Sequence, residues 1–190
     1  MKLIIASGNK GKLREIRAIL GEKFEEILSM KEAGIDHETV EDGKTFLENA
    51  QKKAREIAEI SGCAALADDS GICVDALGGA PGIYSARFCG RHGDDEANNR
   101  LLIEKLKDVD NRGAHYTCAI SLCFPDGKEI HSEGYLYGEI VDDPRGTGGF
   151  GYDPHFYLPK YQCTAAELSA EEKNKISHRA SALEKILEQL

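Results

Sequence analysis

The stretch ALADDSGICVDALGGAPGIYSARF, Ala65 to Phe88, decides how this chain is read. A short apolar run ends in two adjacent carboxylates, Asp68 and Asp69, and Ser70-Gly71 follows at once. Ala64 to Ala67 has the composition of a buried strand, and Ile72-Cys73-Val74 resumes the apolar pattern after the polar break. Adjacent strand residues point to opposite faces, so only one aspartate can aim into a given cleft unless the chain turns. Ser70-Gly71 is read as that turn, and Gly78 to Gly82 as loop. A carboxylate at a strand end is a ligand type for Mg²⁺, which takes one or two protein carboxylates together with waters and substrate phosphates. A turn-capping aspartate is the plainer alternative.

Upstream, Lys2 to Ala6 reads as a strand that ends in the turn residues Ser7-Gly8-Asn9. From Lys12 the apolar residues Leu13, Ile16, Ile19 and Leu20 recur at helical spacing and stop at Gly21. Glu26 to Met30 is a candidate second strand, and Asp42-Gly43 a turn. Thr45 with Glu48 forms a capping-box signature for a helix running to about Ser61 and ending at Gly62. Downstream, Asp94 to about Leu106 is helical. Tyr116 to Phe124 and Lys128 to Val141 read as strands joined at Pro125-Asp126-Gly127. After the glycine-rich GTGGFGYDP, a last helix opens with a second capping box, Ser169 to Glu172. It carries Ile176, Leu183, Ile186, Leu187 and Leu190 on one face. No repeat, low-complexity tract or long linker divides the chain, so residues 1–190 are expected to form one α/β domain with a mixed sheet.

The 190 residues are 41% hydrophobic and 30% charged, the composition of a globular protein. No apolar run approaches the ~18 residues of a membrane span, and MKLIIASGNK is too short in apolar residues to read as an export signal. The six cysteines include no CxxC pair, so free thiols in the reducing cytoplasm are expected. A net charge of −9 argues against a general grip on nucleic-acid phosphates, yet leaves room for one anionic small molecule.

Several groups suit such a ligand. In Ser7-Gly8-Asn9-Lys10-Gly11-Lys12 a strand leads through a glycine-containing loop to a helix N-terminus, which makes an anion site with two lysines. A solvated loop is the alternative, and Walker A spacing is absent. Glu41-Asp42 is a second acidic source. Asn49 and Lys53 share a helix face, on which the lysine either reaches a phosphate or faces water. In Gly148 to Pro154, Phe150 on a glycine-rich loop can stack on a base, whereas a core plug suits Tyr152 better. Lys173, Ser177, His178 and Arg179 lie on a helix that either borders a site or is an ordinary amphipathic surface helix.

Taken together, SGNKGKLREI, EDGKTFLENAQKKA, ADDSGICVDALGGAPGIYSARF, GTGGFGYDPHFYLP and EEKNKISHRASAL resemble, in order, the blocks of the inosine triphosphate pyrophosphatase family. The resemblance implies a mixed twisted sheet flanked by helices, in two lobes with the active-site cleft between them. It implies a homodimer that uses Mg²⁺ to hydrolyse ITP, dITP and XTP to the monophosphate and pyrophosphate. By position, Ser7, Gly8, Asn9, Lys10, Gly11 and Lys12 would hold the triphosphate with Lys53. Asp69 would be the catalytic carboxylate and a metal ligand, Glu41 the second metal ligand, and Ser70 a substrate contact. Phe150, Gly151, Tyr152 and Asp153 would form the base-side loop, and Lys173, His178 and Arg179 would complete the nucleotide pocket. A donor from His178, Arg179 or a backbone N–H would favour a 6-oxo purine over a 6-amino one. The chain departs from the family at Val40, where relatives often carry another acid. Two competing readings are a nucleotide pyrophosphatase with another base preference and a nucleotide-binding sensor without turnover.

Overall fold

The structure, a computed structural model, describes residues 1–21 and 23–190. Leu3, Ile4 and Ile5 are buried on both faces of β1 (Lys2–Ile5), the apolar continuity expected of a parallel sheet interior. Helix α1 (Lys10–Leu20) follows, then β2 (Glu26–Ser29) and α2 (Phe46–Ser61). Next come β3 (Ala64–Val74), α3 (Asp95–Lys105), β4 (Gly113–Cys123) and β5 (Glu129–Ile140). Strands β6 (Phe156–Leu158) and β7 (Cys163–Thr164) and helices α4 (Ala170–Ile176) and α5 (His178–Leu187) complete the chain. The seven strands form one mixed sheet in the order β2-β1-β3-β4-β5-β6-β7. β1 pairs parallel with β2 and β3, while β6 pairs antiparallel with β5 and β7.

Local signals place most of these boundaries. Thr45 Oγ1 accepts the Glu48 N–H at the start of α2, and Gly62 ends it in the left-handed conformation, φ 64°. The Glu48 carboxylate reaches the Lys44 N–H rather than Thr45, so that box closes one residue early. At Ser169 both halves of the box form. Between β4 and β5, Gly127 at φ 84° donates to Phe124 O and closes the hairpin.

Three expectations change. First, α1 begins at Lys10, because Asn9 Oδ1 accepts the Gly11 and Lys12 N–H groups at 2.8 and 3.1 Å and caps the helix there. Second, Ser70-Gly71 is no turn: β3 runs unbroken through eleven residues. A side chain at Gly71 would overlap Gly82 O and Ser85 Oγ, so the glycine serves close approach rather than chain reversal. Third, the last helix is two, separated at Ser177, whose backbone is extended. Ile176 packs with the Ile72–Phe156 cluster while Leu183 and Ile186 pack with the Leu3–Leu66 cluster. The apolar residues read as one stripe therefore serve two cores, and Leu190 lies exposed beyond α5.

The chain divides into two compact units. The first comprises Met1–Asp69, Cys118–Gly134 and His178–Leu190; the second comprises Ser70–Thr117 and Tyr135–Ser177. In the first unit the even-numbered face of β3 (Ala64, Leu66) packs with α1 and α5 residues. Its odd face (Ala65, Ala67) packs with Ala54, Ile57 and Ala58 of α2. The second unit is centred on Ile72, Val74, Leu102, Tyr116 and Phe156.

Candidate active site

Because β3 does not turn, Asp68 and Asp69 fall on opposite faces, and the two packings give them different chemistry. Asp68 follows Leu66 onto the α1–α5 side, where it is 1% exposed. There Oδ2 accepts from Arg179 Nε and Nη2 at 3.2 and 3.1 Å, and the Lys12 ammonium stands at 3.1 Å. On its other side the Arg179 guanidinium bonds Glu15 of α1. Burial, the largest influence on Asp68, acts upward, but the charges of Lys12, Arg179 and Lys53 outweigh it and hold the carboxyl well below the usual range. Burial likewise acts downward on Arg179, and Asp68, Cys118 and Glu15 outweigh it, so the guanidinium stays charged. Cys118 Sγ lies 3.8 Å from Asp68 Oδ2, and burial, reinforced by that carboxylate, pushes its thiol far up.

Asp69 faces α2. Its Oδ2 accepts from Asn49 Nδ2 at 3.0 Å, and its Oδ1 lies 3.8 Å from Lys53 Nζ. Lys53 also bonds Glu41 Oε1 and the Asp68 carbonyl oxygen, both at 2.8 Å. Burial depresses the Lys53 ammonium, but Asp69, Glu41 and Asp68 more than compensate and raise it. For Asp69 the balance is reversed. Burial raises its proton affinity, Glu41 adds to the effect, and Lys53, Lys12 and Asn49 offset it only in part. The two neighbouring carboxyls are thus shifted in opposite directions, Asp68 down by its cationic partners and Asp69 up by burial.

Among the described residues no group of three or more His, Cys, Asp or Glu converges as a metal cluster. Glu41 and Asp69 nonetheless address one cation, the Lys53 ammonium. Two hard oxygen donors of this kind fit Mg²⁺, whose remaining positions are filled by waters and phosphate oxygens.

In the second unit Asp153 organises the glycine-rich loop. Its Oδ1 accepts from Tyr116 OH at 3.2 Å, and its Oδ2 from the Phe150 N–H at 2.9 Å and Lys173 Nζ at 2.6 Å. The same ammonium stands 4.7 Å from the centre of the Phe150 ring, a cation–π contact. Phe150 is half-buried, whereas Tyr152 is buried and donates to Ser85 O at 2.7 Å, the core role that suits it better. Gly151 is pinned by Asp95 Oδ2, which accepts its N–H, and by Asn99 Nδ2, which donates to its carbonyl.

Of the sequence-predicted residues, the first unit brings together Lys12, Glu41, Lys53, Asp69 and Arg179. The second joins Phe150, Asp153 and Lys173. Ser70 is half-buried in β3, His178 is buried at the start of α5, and Lys10 is exposed. The Arg179 guanidinium, read from sequence as a nucleotide contact, bonds Asp68 and Glu15. Sequence reading missed Glu15 and Asp95, which carry no local signal, and left Asn49 without a role.

The model of the Ham1 family matches residues 3–189. The chain is 52% identical over 184 residues to a dITP/XTP pyrophosphatase of Geobacter sulfurreducens, covering 96% of this chain and 92% of that one. It is 49% identical over 197 residues to the dITP/XTP pyrophosphatase of Clostridium perfringens, covering 100% and 97%. Among solved structures, the Staphylococcus aureus Ham1 protein superposes with a TM-score of 0.87 at 41% identity, over 98% of this chain and 96% of that one. A nucleoside-triphosphatase / dITP/XTP pyrophosphatase from Mycobacterium abscessus gives 0.78 at 44%, covering 98% and 99%. Matches of this identity, running almost from end to end and accompanied by the same fold, place the chain in the Ham1 family.

Proposed function

We propose that residues 1–190 act as a single nucleoside triphosphate pyrophosphatase domain. It hydrolyses dITP, ITP and XTP to the monophosphate and pyrophosphate, and so clears deaminated purines from the nucleotide pool. The observation that carries this reading is the split pair on β3, with Asp68 bound by Arg179 and Lys12 on one face and Asp69 set beside Asn49 and Lys53 on the other, in a chain about half identical to dITP/XTP pyrophosphatases.

Ser7 to Lys12 bind the triphosphate at the start of α1. There the N–H groups now capped by Asn9 Oδ1 and the positive helix end suit an anion. Lys12 and Lys53 spread the negative charge that grows on the phosphates. Glu41 and Asp69 would hold Mg²⁺, which when bound neutralises phosphate charge and acidifies water. Asp69 orients a water for in-line attack on the α-phosphorus, and the proton that the water loses passes to solvent. The bond from the α-phosphorus to the bridging oxygen breaks, and pyrophosphate leaves with the electron pair. Arg179, together with Lys12, keeps Asp68 an anion. Ser70 touches the substrate, Phe150 stacks on the base, and Gly151, Tyr152, Asp153 and Lys173 shape the base side. A donor from His178, Arg179 or a backbone N–H reads the 6-oxo group. The enzyme works in the cytoplasm as a homodimer, the latter a reading supported by the family resemblance. The acidic charge speaks against nucleic acid as a partner. Among the described residues no helix is long and apolar enough to cross a membrane.

The test is pyrophosphate release from dITP, ITP, XTP, ATP and GTP with Mg²⁺, comparing wild type with Asp69→Asn. Fast release from the first three, lost in the variant, is expected. No release alongside a melting temperature raised by ITP would leave a binding protein in place of an enzyme.

A further inference from the structure

Asn49 is 1% exposed and carries both ends of one side-chain amide to different elements. Nδ2 donates to Asp69 Oδ2 of β3 at 3.0 Å, while Oδ1 accepts the Gly43 N–H at 2.9 Å. The orientation follows from chemistry, since a flipped amide would set an acceptor against a carboxylate and a donor against an N–H. Gly43 lies two residues beyond Glu41, in the irregular segment that precedes α2. The segment runs close to the helix: Glu41, Asp42 and Lys44 contact Lys53, Lys52 and Glu48. Gly43 permits this approach. A Cβ there would stand 2.6 Å from Asn49 Oδ1 and 2.9 Å from Glu48 Cβ, although the position is half-exposed and its φ is not in the left-handed region.

We propose that Asn49 is a positioning residue that sets the two acids, Asp69 and Glu41, in register. By holding Oδ2 of Asp69 it leaves Oδ1 as the oxygen turned to Lys53, the same ammonium that Glu41 contacts. By holding the Gly43 N–H it fixes the segment that delivers Glu41. This rests on the reading of Glu41 and Asp69 as the acid pair of a triphosphate hydrolase. Asn49 touches no reacting atom; it acts through the geometry of the acids. A misplacement of about 1 Å at such groups costs on the order of 100-fold in rate, and loss of a ligand's supporting partner costs roughly 10–100-fold in metal affinity.

The experiment compares wild type with Asn49→Ala, Gly43→Ala and the double variant. It measures melting temperature, kcat and KM for dITP, the half-saturating Mg²⁺ concentration, and Mn²⁺ binding without nucleotide by electron paramagnetic resonance. Asn49→Ala is expected to lose about 100-fold in kcat with KM little changed. It should bind Mn²⁺, and be saturated by Mg²⁺, about tenfold less tightly. Gly43→Ala should shift both quantities in the same direction by displacing the amide. The double variant should lose less than the two single losses combined, because the nearest atom that Cβ meets, Asn49 Oδ1, is then gone while Glu48 Cβ remains. A folded Asn49→Ala with wild-type kcat and Mn²⁺ binding overturns the proposal, as does a raised KM at unchanged kcat or an additive double loss. If Asn49→Ala does not fold, Gly43→Ala decides alone, and wild-type kcat and Mn²⁺ binding in it are the overturning result. Failure of wild type to release pyrophosphate from dITP would sink the proposed activity instead, with the Mn²⁺ measurements still testing the clamp.

Discussion

Removing the Arg179 guanidinium should expose how much of the fold rests on one buried cation. In Arg179→Met, Asp68 and Glu15 lose the group between them, at positions where the Asp68 side chain is 0% and the Glu15 side chain 11% exposed. Breaking a buried pair and leaving its carboxylates behind costs about 3–5 kcal/mol. Protonation sets a similar ceiling, since neutralising a carboxyl of ordinary pKa at pH 7 costs roughly 4 kcal/mol. For a chain of this length that corresponds to a melting temperature lower by roughly 10 °C. The sign with pH is fixed as well. In wild type Asp68 is held below its unfolded value, so its stabilisation is present above the unfolded pKa and lost as pH falls through the folded one. In the variant Asp68 keeps Lys12 but loses the Arg179 charge, so its folded-state pKa moves up, the folded state binds more protons there, and the penalty grows as pH rises. Thermal melts of both proteins at pH 5 and pH 8, with a chelator present, give the comparison. A difference of only a degree or two, or a penalty larger at pH 5, would falsify this account of the network.

Further outcomes follow from single contacts. Phe150→Ala should weaken nucleotide binding about tenfold, since base stacking on an aromatic is worth about 1–3 kcal/mol; a KM unchanged for dITP would remove Phe150 from the base side. Gly71→Ala should destabilise the protein by about 1–3 kcal/mol in urea titration, because the methyl meets the Gly82 carbonyl and Ser85; wild-type stability would show that β3 can shift there. In thiol titration with a disulfide reagent at pH 8, Cys118 should react only after denaturation, being buried with its thiol pushed up. Its modification in the native protein, located by peptide mapping, would contradict that burial.

What the sequence by itself determined is what short spacings encode. Thr45 and Ser169 announce helix starts through bonds to N–H groups within three residues, and Pro125-Asp126-Gly127 announces a hairpin. The five family blocks likewise carry the candidate site residues in order. Other features became legible only in the tertiary structure. A turn and a close approach both call for glycine, so Gly71 could not be told from a turn until Gly82 and Ser85 stood against it. The stripe from Ile176 to Leu187 could not reveal two helices, because periodicity records that a face is buried, not which core covers it. Asp68 and Asp69 look alike side by side, and their divergence comes from what packs on each face of β3. Arg179 and Glu15 are 164 residues apart in sequence. Local spacing carries no information about such a partner, yet in a low-dielectric interior that partner decides which carboxyl keeps its charge.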